Sequence, residues 1–253
     1  MTKGRYLYAI GRGLTTADLA GSRGLGDAPA RVLEHRGLAA VISDVDLAEY
    51  GEEGLRRNLE DLRWLEQVAR THDTVVRAAA AAGPTAPLRL ATVCFDDDQV
   101  RARIDEWHAG LQRALDRVEG RVEWSVKAFA PDRPQRSEIP AGSATGPGAG
   151  AAYLQRRKEA MLRRQQAGQD EARDSEELYV ALADHAVAGR RLHPQDPRLT
   201  GHEGTMTLNA AFLVEAGQDF AATVADIAAG RPSLRVETAG PWPAYSFATL
   251  EEA

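Results

Sequence analysis

The chain has 253 residues and a mass of 27.4 kDa, with 31 basic against 37 acidic side chains and a formal net charge of −6; this length holds one large domain or two of roughly 120 residues, and the acidic balance argues against a general nucleic-acid or anionic-membrane surface. A single cysteine, Cys94, permits no internal disulfide and fits a reducing compartment, where it reads as a buried thiol. No run of ~18 apolar residues occurs and the N-terminus has no apolar stretch of signal-peptide length, so a cytoplasmic protein that is neither secreted nor membrane-spanning is expected.

Residues 6–10 read as a first strand, and residues 31–35 and 38–45 as a hairpin around Arg36-Gly37. From about Glu52 to Ala82, the residues Leu55, Leu59, Leu62, Leu65, Ala69, His72, Val76 and Ala79 recur at three- and four-residue steps, which predicts one amphipathic helix of about eight turns ending at Gly83-Pro84. Its outer face carries acid-to-arginine pairs four apart, Glu53 with Arg57, Glu66 with Arg70 and Asp73 with Arg77. Each is worth only ~0.2–0.5 kcal/mol. A strand over residues 88–95 follows. Asp96 and Gln99 have capping-box spacing at the start of a second helix, whose buried stripe is Val100, Ile104, Trp107, Leu111, Leu115 and Val118 and whose end is marked by Gly120.

A domain boundary is expected near Gly120, giving an N-terminal α+β domain over 1–120 and a C-terminal domain over 121–253. Val122, Trp124, Val126 and Ala128 alternate against polar neighbours as the first strand of the second sheet. Residues 131–150 are rich in proline, glycine, serine and alanine and read as a flexible surface loop. Residues 153–187 form a helical stretch with apolar ends and a polar middle, and Gly168 is a candidate break. Met206, Leu208, Ala210, Phe212 and Val214 then share one face of a strand, Phe220, Val224 and Ile227 one face of a short helix, and Leu234 and Val236 lead into GPWPAYSF (240–247). Pro241 and Pro243 exclude a central strand there. The expected architecture is α+β, two small sheet-and-helix sandwiches, the second with a ferredoxin-like order whose missing strand falls between Leu192 and His202.

Motifs of chemistry are sparse. Gly11-Arg12-Gly13 follows a strand, but Thr16 stands where a dinucleotide fingerprint needs its third glycine. There is no P-loop and no nucleophile elbow, and the six histidines, at 35, 72, 108, 185, 193 and 202, show no metal-ligand spacing. His72 beside Asp73 resembles an acid/base pair but is more simply a hydrogen-bonded histidine on a partly buried helix face. The basic run Arg156, Arg157, Lys158, Arg163 and Arg164 is offset by Asp170, Glu171, Asp174, Glu176 and Glu177, the pattern of a solvated helix. No catalytic, cofactor-binding or metal-binding residue is assigned.

NAAFLV (209–214) paired with GPWPAYSF resembles the gas vesicle protein L/F family. YLYAI (6–10), WLEQVARTHDTVV (64–76), PLRLATV (87–93) and EWSVK (123–127) resemble that family's other signatures in the same order. The chain departs from the family pattern at Leu90 and Ala91, where an aromatic and a glycine are usual, and at Ser125 and Ala244, usually glycine and proline. The resemblance implies a gas vesicle assembly factor that binds the hydrophobic shell protein, gas vesicle shell protein A, and other accessory proteins, without cofactor or enzymatic activity, with persistence in the vesicle as a minor component a further implied role. Candidate residues for partner binding or packing are Trp242, Tyr245, Phe247 and Arg89, with Trp242 expected to bury its indole on Trp124 and Val126. The alternative from the residues alone is a small-molecule-binding or catalytic α+β protein using an interdomain cleft.

Overall fold

The first sheet is organised around a strand, β1 (Lys3–Gly11), whose residues Tyr6 to Ile10 are all fully buried. Burial on both faces requires partners on both edges and cover on both sides. The computed structural model, which describes residues 2–131, 149–194 and 204–248 (149–153 by backbone alone), supplies them. β2 (Arg31–His35) and β3 (Leu38–Asp46) flank one edge of β1 and β4 (Thr85–Pro87) the other, in the order β2-β3-β1-β4, and β5 (Val93–Cys94) also pairs with β1. All of these pairings are antiparallel. The hairpin turns at Arg36 (φ 50°) and Gly37 (φ 75°), the left-handed pair that matches strand twist in a two-residue loop.

The helix expected over residues 52–82 is interrupted. A single turn α1 (Leu47–Tyr50) and α2 (Glu52–Asn58) precede α3 (Leu62–Ala82), because Asp61 leaves the helical region and its carboxylate accepts from the backbone nitrogens of Arg63 and Trp64, capping a new start. The buried face is accordingly Val68, His72, Val75, Val76 and Ala79, while Leu59 and Leu62 are exposed. Of the three expected ion pairs, Glu66–Arg70 and Asp73–Arg77 form, whereas Arg57 donates to the Ala48 carbonyl. The strand expected over 88–95 is also broken. After β4 the chain leaves the ladder, Ala91 adopts φ 64°, and its backbone nitrogen donates to the Tyr6 hydroxyl at 2.9 Å before β5 re-enters. α4 (Asp97–Val118) begins as expected, with Gln99 nitrogen donating to Asp96 at 2.8 Å, and Gly120 follows it at φ 69°.

The second sheet has the order β7-β8-β6-β9, formed by β6 (Arg121–Ala130), β7 (Ala188–Arg191), β8 (Thr205–Glu215) and β9 (Arg235–Trp242). The proline-bearing strand is at an edge, where missing donors cost nothing to the ladder. The strand expected between Leu192 and His202 lies mostly outside the described residues, and β7 ends just before it. The expected loop over 131–150 likewise falls almost entirely outside them. α5 (Ala149–Ala183) runs through Gly168 without a break, and α6 (Phe220–Ala229) starts on an Asp219 cap. Leu208 to Val214 are buried on both faces of β8, not on one.

By contacts the chain forms two units. The first comprises the chain to Glu123 with Leu213–Gly217 and the segment from Gly240; the second is Trp124–Phe212 with Gln218–Ala239. The core of the first joins Tyr6, Tyr8, Val41 and Tyr50 to Val68, Val75, Val76 and Ala79. In the second, the ring of Phe212 lies 5.6 Å from that of Phe220 and 5.5 Å from that of Tyr179, and Trp124 lies 6.3 Å from Phe220, a chain of tilted aromatic contacts; Leu178 and Leu182 are fully buried.

Candidate interaction surface

α3 contributes two groups to the C-terminal segment because Asp73 and Arg77 are one turn apart on the same face. The Arg77 Nε donates to Asp73 Oδ2 at 2.6 Å, and its guanidinium carbon lies 4.3 Å from the centroid of the Trp242 ring. The other Asp73 oxygen accepts from the Tyr245 hydroxyl at 3.4 Å. A second clamp comes from Glu123, only 7% exposed, whose carboxylate accepts from the Ser246 nitrogen and hydroxyl, each at 2.7 Å. Ala244 and Phe247 are buried, and the segment closes in a turn with Ala248 nitrogen donating to the Ala244 carbonyl. The Gly240–Pro241 peptide is cis.

Trp242 is 36% exposed, which corrects the expectation of a fully buried indole. Its ring forms one wall of a groove of about 540 Å³ in the first unit, with Ala80, Ala81, Val122 and Pro243 as apolar lining and Arg77 and Arg121 as the cations. Arg121 is held by Glu215 at 3.1 Å. Among the residues singled out in the sequence, Trp242, Tyr245 and Phe247 thus share one segment. Arg89 does not join them: it is exposed on the loop between β4 and β5, where its carbonyl accepts from Thr92 Oγ1. Asp73 and Arg77 were visible as an ion pair but not as a latch, and nothing local in the sequence marks Glu123.

Several titratable groups of the first unit are held neutral. His72 is 4% exposed, its Nδ1 lies 3.1 Å from the Tyr6 hydroxyl, and burial pulls its pKa down to about 4. Burial raises the phenols of Tyr6, Tyr50 and Tyr245 and the Cys94 thiol. These shifts oppose formation of a nucleophile. Among the described residues no group of three His, Cys, Asp or Glu side chains could hold a metal, and no helix is long and apolar enough to cross a membrane.

The family model described as gas vesicle synthesis protein GvpL/GvpF matches residues 4–249. Gas vesicle protein L of Streptomyces sp. (strain CB03234) is 39% identical over 98% of this chain and 94% of that protein. Gas vesicle protein F of the same strain is 29% identical over 96% and 98%. The crystal structures of GvpF from Anabaena sp. PCC7120 and Microcystis aeruginosa superpose with TM-scores of 0.66 at 20% and 21% identity, the first covering 99% of this chain and 98% of the other, the second 98% and 99%. At that identity the two structures establish the fold.

Proposed function

The chain belongs to the gas vesicle synthesis protein GvpL/GvpF family, and from that premise we propose that it is an assembly factor that binds the hydrophobic shell protein and assists its polymerisation in the cytoplasm. The observation that carries this reading is the groove beside Trp242, an apolar opening flanked by two paired guanidinium groups. An apolar segment of the shell protein laid into it would be shielded from water, gaining about 25 cal/mol per Å² of apolar surface covered. Arg77 and Arg121 orient the guest by its polar groups. Such a task needs an interface and no reacting side chain, in keeping with the buried, neutral state of His72 and Cys94.

The test is co-expression with the shell protein followed by affinity capture of this chain. Recovery of soluble shell protein in the complex is expected. Shell protein that stays wholly insoluble, with no complex retained, would remove the mechanism.

A further inference from the structure

The core of the first unit has an aromatic composition that packing does not require. Its buried cluster holds Tyr6, Tyr8 and Tyr50, with Trp64 and Tyr245 packed against it and no phenylalanine. Phenylalanine would fill nearly the same space without desolvating a hydroxyl, a cost that hydrogen bonding must offset. The second unit uses Phe212 and Phe220 in that way. The Tyr8 hydroxyl is explained, since it accepts from the Leu25 nitrogen and bonds Ser43 Oγ at 2.7 Å. The Tyr6 hydroxyl is explained only by half. Its oxygen accepts from the Ala91 nitrogen, and its hydrogen is left to Nδ1 of His72, 3.1 Å away on a side chain that is itself buried.

These rings form a continuous path from the surface to the core. Trp64 is partly exposed, and with Tyr50 it lines an opening of about 430 Å³. The ring centroid of Trp64 lies 5.6 Å from that of Tyr50, Tyr50 lies 6.3 Å from Tyr6, and Tyr6 lies 5.8 Å from His72. Each gap is one ring contact wide, short enough for an electron to cross between π systems. The polar groups along the path favour an electron moving outward and a proton moving inward. The Trp64 Nε1 donates to Glu49 Oε1 at 2.8 Å, so a positive charge arising on the indole meets a carboxylate. Burial keeps His72 unprotonated at neutral pH and opposes ionisation of Tyr6 alone, so the phenol gives up its electron together with its proton. A phenol whose proton has a base to go to is easier to oxidise than an indole.

We propose that Trp64, Tyr50, Tyr6 and His72 are a one-electron relay that carries an oxidising equivalent from the surface indole to a buried tyrosyl radical at Tyr6. An oxidising radical in solution takes one electron from Trp64 and is itself reduced. Tyr6 refills the indole through Tyr50. Its O–H bond breaks and an N–H bond forms on His72 Nδ1, leaving a neutral tyrosyl radical beside an imidazolium. A small one-electron donor of the ascorbate class reverses the path: the donor is oxidised, the electron returns to Tyr6, and His72 gives back the proton. At a fully buried ring the equivalent is out of reach of water, which adds to an oxidised indole, and of a second chain, which couples with an exposed tyrosyl. None of these four side chains lines the groove beside Trp242, so the relay stands apart from shell-protein binding.

Flash photolysis of the full chain with a ruthenium(III) polypyridyl oxidant, read by electron paramagnetic resonance, tests it. The expected signal is a neutral tyrosyl radical coupled to one hydrogen that exchanges in heavy water, the proton held by His72. Tyr6→Phe should remove that signal. His72→Asn keeps an acceptor for the hydroxyl but supplies no base, and should leave the unpaired electron on the indole. Trp64→Phe should slow formation of the Tyr6 radical without changing its spectrum. Circular dichroism matching the parent establishes that each variant is folded, and the three substitutions at separate sites keep the test independent of any one of them. A parent without a tyrosyl signal overturns the proposal, as does a signal that survives Tyr6→Phe or that forms in His72→Asn with the parent's yield. Radical formation as fast in Trp64→Phe as in the parent overturns entry through the indole.

Discussion

Ala91 holds a backbone conformation that its side chain resists, with φ 64° and its nitrogen bonded to the Tyr6 hydroxyl. A left-handed residue with a Cβ carries a cost of roughly 1–2 kcal/mol, which glycine, usual at this position in the family pattern, avoids. Ala91→Gly is therefore expected to stabilise the first unit by about 0.5–1 kcal/mol, net of the extra backbone entropy glycine loses on folding; urea unfolding measures it, and a lower midpoint would contradict it. Trp242 carries the opposite kind of information. Partly exposed under Arg77, it should lose only about 1 kcal/mol on truncation to alanine, well below the ~3–5 kcal/mol of a fully buried aromatic. Thermal unfolding of Trp242→Ala then stays near that of the parent while shell-protein capture is lost; a large drop in melting temperature would mark the indole as a core residue.

At the scale of elements, the interruptions in the fold trace to single polar side chains that periodicity does not weigh. Leu55, Leu59, Leu62 and Leu65 continue a helical stripe on paper, yet Asp61 caps α3 and rotates the buried face onto Val68 and Val75. Removing that cap by Asp61→Ala should destabilise the protein by about 0.5–2 kcal/mol, with increased amide exchange confined to the first turn of α3; unchanged exchange there would show that the helix start is fixed by packing alone. The β4–β5 break has the same character, since a buried tyrosine hydroxyl supplies the partner that a strand neighbour would otherwise supply. What could be read in advance was local: the Arg36-Gly37 turn, the Asp96 cap, the stripe of α4, the edge position of the proline-bearing strand. The latch joining Asp73, Arg77 and Glu123 to the segment from Trp242 to Ser246 could not, because its partners lie more than a hundred residues apart in sequence and no periodicity encodes a contact across that distance. The segment itself was legible through its prolines and aromatics; its neighbours were not.

For the whole molecule, the buried histidine sets how stability responds to acid. Burial lowers the folded-state pKa of His72 from 6.5 to about 4, so between those values the unfolded chain binds a proton that the native chain excludes. Stability must then fall as pH falls through that window, by up to 1.4 kcal/mol per pH unit and on the order of 3 kcal/mol in total, and level off below pH 4, where both states are protonated. The carboxylates act in a lower window. Asp97, bonded to Arg5 and Arg31, has its pKa depressed, so the stability it contributes is lost only as pH falls below the ordinary aspartate range. The two contributions therefore separate, and a substitution isolates the first. His72→Asn keeps an acceptor for the Tyr6 hydroxyl but cannot titrate; it should lower stability at pH 7, through lost packing, while flattening the decline between pH 6.5 and 4 by about one proton. Urea unfolding across that range reads the slope directly, and a variant as pH-sensitive as the parent would mean that His72 takes up its proton in the folded chain as readily as in the unfolded one.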